Sequence, residues 1–228
     1  MRVHVAFTPA EATAVPTGIV VDVLRASSTI VQALESGYRR VLCCAEVEQA
    51  QALREEIEDA VLAGERQALR VEGFDFGNSP QDFLEPKAET LILTTTNGTR
   101  AIVEAAADCD VVFVGSLLNL ERVASAARER GEDVEVVCAG VDGQFALDDA
   151  YCAGRIAELL GGERTDGAEA AVRIARSFPT AEDAFRASVN PHHRSIEKDL
   201  VWCARENVAS AVPRFVAMRG PAAEIVRA

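Results

Sequence analysis

No apolar run in this 228-residue chain approaches the roughly 20 residues needed to cross a bilayer, so no segment reads as a transmembrane helix. The opening Met1-Arg-Val-His-Val-Ala-Phe lacks the long apolar core and small-residue cleavage site of a secretory signal. Its alternation suits a first strand, and a cytoplasmic location is expected. The six cysteines form no C-x-x-C pair, and most lie inside apolar patterns, which predicts reduced, mostly buried thiols. None is followed by an arginine at the C-x5-R spacing of a cysteine phosphatase. Histidine is scarce: with only His4, His192 and His193, a histidine-centred metal site is not expected. Neither G-x-x-x-x-G-K-[ST] nor G-x-G-x-x-G occurs, which leaves nucleotide binding by those loops unsupported. Asp108-Cys-Asp110-Val-Val spells the aspartyl-nucleophile pattern D-x-D-x-V, but it precedes a strand where that motif should follow one. Basic charge is short as well. A formal net charge of −13 repels nucleic acid and acidic membrane surfaces, so neither is expected as a partner.

What is present is alternation. Apolar strand-like runs recur at Val3 to Phe7, Ile19 to Val23, Val41 to Cys44, Leu91 to Thr94, Val111 to Val114 and Val134 to Cys138. Helical patterns separate them. Glu46 to Ala63 places Leu53, Ile57 and Val61 on one face, with Gly64 in a stop position. Asn119 stands where it would cap a helix closing at Gly131, and Asp148 opens another that ends at Gly161-Gly162. Later, Asp166 to Phe178, with a box-like Asp166 and Glu169 start, Thr180 to Val189 and Ser195 to Asn207 read as helices before a last strand near Arg214 to Met218. The expectation is a single α/β domain over residues 1–228. It has three layers, α/β/α, around a mixed, largely parallel sheet, with residues 161–210 as a helical flank or small lobe.

In such a sheet, ligands bind at the carboxyl edge. Four strand-to-helix junctions can converge there: Val21 to Thr29, Thr94 to Arg100, Val114 to Asn119, and Cys138 through Asp149. The second reads as an anion cradle. Gly98 permits a sharp turn, Thr94, Thr95, Thr96 and Thr99 carry hydroxyls, and Arg100 offers a planar fork at a helix N-terminus. In the first, Asp22 interrupts an apolar run, an expensive position unless a metal ion or Arg25 meets it. Asp142, Asp148 and Asp149 add hard oxygen ligands of the kind Mg²⁺ accepts, although Asp148 also suits a cap. Asp75, Asn78 and Ser79 sit in the aperiodic Gly73 to Pro80 segment, a length of loop that is usually functional. Glu65-Arg66 supplies a second guanidinium or a surface ion pair.

Taken together, Val21-Asp-Val-Leu-Arg-Ala-Ser-Ser-Thr-Ile30, Gly73-Phe-Asp-Phe-Gly-Asn-Ser-Pro80, Thr94-Thr-Thr-Asn-Gly-Thr-Arg100, Gly115-Ser-Leu-Leu-Asn-Leu120, and Cys138-Ala-Gly140 with Leu147-Asp-Asp149 resemble the 2-phosphosulfolactate phosphatase family of coenzyme M biosynthesis. Lys198-Asp199-Leu200 and Val212-Pro213 resemble that family's closing segment, while Ser27 and Ser28 stand where threonines are expected. The resemblance implies a Mg²⁺-dependent acid phosphatase that hydrolyses 2-phosphosulfolactate to sulfolactate and phosphate. It implies Asp22, Arg25 and Asp75 as catalytic residues and Asp22 and Asp149 as Mg²⁺ ligands. Ser27, Ser28, Arg66, Asn78, Ser79, Asn97, Gly98, Thr99 and Arg100 then bind a small phosphorylated substrate carrying three anionic groups. Two other readings stay open: a phosphatase for a different phosphorylated 2-hydroxy acid, and a non-catalytic module binding an anionic metabolite. The sequence is compatible with a homo-oligomer.

Overall fold

Strand β2 (Thr17–Val21) is buried along its whole length, which is what an apolar run flanked by strands and covered on both faces requires. In the computed structural model, which describes residues 1–190 and 196–228, it lies between β8 (Val134–Cys138) and β7 (Val111–Gly115), parallel to both. Beyond β8 the sheet continues through β1 (Arg2–Ala6) to the short edge strand β9 (Glu163–Arg164). A second parallel set comprises β3 (Arg40–Cys44), β6 (Thr90–Thr94) and β4 (Ala60–Arg66), with β5 (Leu69–Arg70) folded back on β4. Between the two sets sits an antiparallel hairpin of β10 (Pro213–Arg219) and β11 (Ala222–Arg227), which pairs with β7 on one side and β3 on the other. The full order is β5-β4-β6-β3-β11-β10-β7-β2-β8-β1-β9.

Side-chain alternation divides the core into layers. Val20 of β2 packs with Val41, Leu93 and Val112 against α1 (Ala26–Ser36) and α3 (Gly98–Asp108), through Ile30, Leu34 and Ile102. Ile19 and Val21 point the other way, toward α4 (Leu120–Glu129), α5 (Leu147–Leu160) and α6 (Asp166–Arg176). On that same face Leu42, Leu62 and Ile92 meet α2 (Val47–Glu56). Burying each such aliphatic side chain contributes about 1.5–3 kcal/mol over leaving it exposed, so the strands are the fixed part and the loops after them inherit their position. The α/β/α layering and the mixed, largely parallel sheet match expectation. In the late helical segment α6 packs on α5 and β1, followed by α7 (Ala181–Ala187) and α8 (Glu197–Cys203).

Several boundaries differ from the sequence reading. The helix expected to reach Ala63 stops at Glu56, and Ala60 to Gly64 pair with β6 instead. There Gly64 is not a helix stop. A Cβ on it would lie 2.3 Å from the Thr94 carbonyl oxygen, so the glycine is needed for close strand contact. Helix α5 is capped at Ala146, placing Asp148 in the first turn and not at the cap. Asn119 does not cap α4 with its side chain; it accepts from Ser116 N–H and donates to the carbonyls of Val114 and Ala211. Helix α6 is capped by Thr165, one residue before the expected box, and α8 is shorter than the Ser195 to Asn207 pattern. Pro191, His192 and His193 lie outside the described residues. Among the described residues no helix is long and apolar enough to cross a membrane.

Candidate active site

Where β2 ends, Asp22 leaves the sheet and the chain turns into α1. The turn is fastened locally: Asp22 Oδ1 accepts from Ala26 N–H at 3.2 Å, and the Ser27 hydroxyl donates to the Asp22 carbonyl at 2.8 Å. The Ser28 hydroxyl donates to the Val23 carbonyl at 2.8 Å. These two serines were expected to bind substrate, but their hydroxyls hold the loop, because a buried turn leaves backbone carbonyls that must be satisfied. Thr99 behaves likewise; its hydroxyl accepts from Thr95 N–H and donates to the Thr95 carbonyl.

The first turn of α3 lies directly against Asp22. A Cβ on Gly98 would sit 2.4 Å from Asp22 Oδ2 and 2.6 Å from the Ala26 methyl, so only glycine lets the two junctions meet this closely. From β8 and α5 comes Asp149, whose carboxylate accepts from Val23 N–H at 2.9 Å and Gly140 N–H at 3.0 Å. One side chain thereby ties the β2 and β8 loops together. Glu65, at the end of β4, does the same for a third pair, accepting from Thr96 N–H at 2.8 Å and Ala68 N–H at 2.7 Å.

These loops surround a cleft of about 370 Å³ whose lining includes Asp22, Arg25, Glu65, Arg66, Asn78, Thr96, Asn97, Asp142, Asp148 and Asp149. Asn97 accepts from Asp142 N–H at 3.2 Å across its mouth. Asn78 is buried, and its side-chain oxygen has no hydrogen-bond partner among the described residues. Arg66 is held by the carbonyls of Glu65 and Ala45 and the Thr94 hydroxyl, and it also lines an adjoining cavity with Arg100. Arg100 pairs there with Glu46 at 2.7 Å, both half-exposed.

Asp75 and Ser79, also expected in the site, do not line the cleft either. Asp75 accepts from Leu62 N–H at 2.8 Å and does not line the cleft; its carboxylate secures the segment that runs along β4. The Ser79 hydroxyl donates to Asp199 at 2.6 Å. Arg25 does not neutralise Asp22 by direct pairing; its ion-pair partner is Asp199, at 2.7 Å. Glu65 and Asp199 are not among the expected site residues: Glu65 reads from sequence only as a candidate partner of Arg66, and Asp199 has only its place in the closing segment to mark it.

The electrostatics follow from this crowding. Burial, then the neighbouring Glu65 and Asp148 carboxylates, push Asp22 up to about 7, against the opposing effects of Ala26 N–H and Arg25. Burial, then Asp148 and Asp22, hold Asp149 well above the usual carboxylate range. Oxygen donors in excess of cations fit a hard divalent ion. Among the described residues no three His, Cys, Asp or Glu side chains form a closed metal cage, so such an ion would need ligands from substrate or water.

The sequence model of the 2-phosphosulpholactate phosphatase family matches residues 5–217. A protein of Clostridium acetobutylicum described as a probable 2-phosphosulfolactate phosphatase is 39% identical over 213 residues, covering 87% of this chain and 89% of its own. The 2-phosphosulfolactate phosphatase of Methanothermobacter thermautotrophicus is 37% identical over 223 residues, covering 94% and 92%. A probable 2-phosphosulfolactate phosphatase of Thermus thermophilus is 37% identical over 224 residues, covering 93% and 94%.

Proposed function

Because the chain belongs to the 2-phosphosulpholactate phosphatase family, we propose that it is a phosphoric monoester hydrolase that converts 2-phosphosulfolactate and water to sulfolactate and inorganic phosphate, as a step toward coenzyme M. The observation carrying this reading is the cleft, where Asp22 and Arg25 of the β2–α1 loop meet Asp149 from the first turn of α5 and Arg66 from the end of β4. Phosphoryl transfer asks little covalent chemistry of a protein and much positioning and charge stabilisation. Arg25 and Arg66 are fixed by bonds to Asp199, Ala68, Ala45 and Thr94, so their guanidinium groups are set in place before the trianionic substrate arrives. The N-terminal end of α3 adds positive potential beside Asp22. Asn78, buried with an amide oxygen that has no partner among the described residues, offers an acceptor on the cleft wall to a water beside the substrate. Arg100, on the adjoining cavity, meets an anionic group remote from the reacting phosphate.

Mg²⁺ would be held by Asp22 and Asp149, and it would supply charge neutralisation on the phosphate and a more acidic bound water. Both carboxylates are disposed to carry protons, Asp22 up to about pH 7 and Asp149 well above the usual carboxylate range, so protons compete with the metal as pH falls. The six thiols form no disulfide, five of them are buried, and this supports a cytoplasmic site of action.

The test is phosphate release from a panel of phosphorylated 2-hydroxy acids with and without a sulfonate. The reading expects the highest kcat/KM for 2-phosphosulfolactate, loss of turnover with chelator and recovery with Mg²⁺. Preference for an ester lacking the sulfonate would change the substrate, and release from none would leave the cleft a binding module.

A further inference from the structure

Helix α8 lies far along the chain from the β2 loop, yet its Asp199 is the residue that meets Arg25. The pair is 2.7 Å apart with side chains only 9% and 7% exposed, so it is not a solvent-screened surface contact. Three donors converge on that carboxylate: Arg25 Nη1 on Oδ2, and the Ser79 hydroxyl at 2.6 Å and Gln81 Nε2 at 3.2 Å on Oδ1. On its other side Arg25 Nη2 donates to the Ala68 carbonyl at 3.4 Å. Among the described residues these contacts engage two of the five N–H groups a guanidinium carries, and Arg25 is also part of the cleft lining.

We propose that Asp199 is a positioning residue for the hydrolysis, acting through Arg25, an inference that rests on the phosphatase reading above. An arginine side chain free to rotate must be ordered each time it grips a phosphate; one clamped by a buried carboxylate is ordered beforehand. Ser79 and Gln81 hold the clamp itself, which gives the Gly73 to Pro80 segment and α8 a part in the reaction although neither supplies the carboxylates of the cleft. Removing the carboxylate leaves a buried guanidinium without its counter-charge, and that group must shift toward Asp22 or solvent.

The experiment is steady-state hydrolysis of 2-phosphosulfolactate by the wild type, Asp199→Asn, Arg25→Ala and the double variant. Asp199→Asn should lower kcat/KM on the order of 100-fold, the effect of a displaced guanidinium. The double variant should be no slower than Arg25→Ala, because residues acting through one another do not lose twice. Added guanidinium ion should restore part of the activity of Arg25→Ala and none of that of the double variant, where no carboxylate remains to seat it. Where one single variant fails to fold, the other is compared with the double variant, which strands no charge. Asp199→Asn within about twofold of wild type, losses that multiply in the double variant, or equal rescue of both Arg25 variants would each overturn the proposal. If the wild type releases no phosphate from this ester, the functional reading fails. The same variants are then compared by calorimetric affinity for inorganic phosphate, where multiplying losses again overturn the role of Asp199.

Discussion

Asp22 and Gly98 pack so closely that no side chain at position 98 leaves the contact intact. Gly98→Ala brings a methyl within 2.4 Å of Asp22 Oδ2, so we expect kcat to fall by about 100-fold or more while circular dichroism stays native. Unchanged turnover would show that Asp22 need not keep its place. The protonation of Asp22 carries its own prediction. Its folded value is raised from 3.8 to about 7, so between those limits the folded chain keeps a proton that the unfolded chain has released. Stability must therefore fall as pH rises through that window, the reverse of a salt-bridged aspartate, and Asp149 adds to the trend. In chelator, Tm should drop on the order of 5 °C between pH 5 and 8, and Asp22→Asn should flatten the profile. A Tm rising over that range contradicts the assignment. Much of this was legible in the sequence: Asp22, Arg25, Arg66, Asn78, Asn97 and Asp149 all line the cleft. The hydroxyls of Ser27, Ser28 and Thr99 were not, since a sequence shows that donors exist but not that a nearby buried carbonyl already claims them.

Strands and helices were readable where burial gave them one clear period. β2, β7 and β8 are apolar runs because helices cover both faces, and α5 and α6 show inward apolar stripes. β4 was not readable, because Leu53, Ile57 and Val61 continue a helical spacing across a real boundary; long-range pairing with β6 decides the outcome there. The hairpin after β4 is a stored strain. Gln67 and Ala68 both adopt positive φ, 54° and 64°, where turns of this kind prefer Asn-Gly, and Glu65 and Arg25 hold the Ala68 backbone in place. Ala68→Gly should raise Tm by about 2–4 °C, read by calorimetry; a lower Tm would mean the alanine methyl is needed for packing. The strand β11 was missed because Ala222, Ala223 and Ile225 offer a short, small-residue pattern, although its backbone joins β3 to β10. Deleting residues 213–228 exposes the edges of β3 and β7 together, and the product should be insoluble or unfolded. A monomeric, folded truncation would show that the two parallel sets stand without their bridge.

Across the whole molecule, a net charge of −13 opposes a trianionic ligand, and the cleft itself contributes carboxylates. Binding then depends on a local reversal of sign by Arg25, Arg66 and the end of α3, to which the divalent cation proposed for Asp22 and Asp149 would add. Arg100 stands farther off, so Arg100→Ala should raise KM more than it lowers kcat, as for a contact shared by ground and transition states. An equal loss in kcat would bring it to the reacting phosphate. The central claim is that Asp22 is indispensable to phosphate-ester hydrolysis in this cleft. It is tested most directly by phosphate release from 2-phosphosulfolactate with Mg²⁺, comparing wild type with Asp22→Asn. The account predicts turnover by the wild type and none above background for the folded variant, whereas a variant as active as the wild type would contradict it.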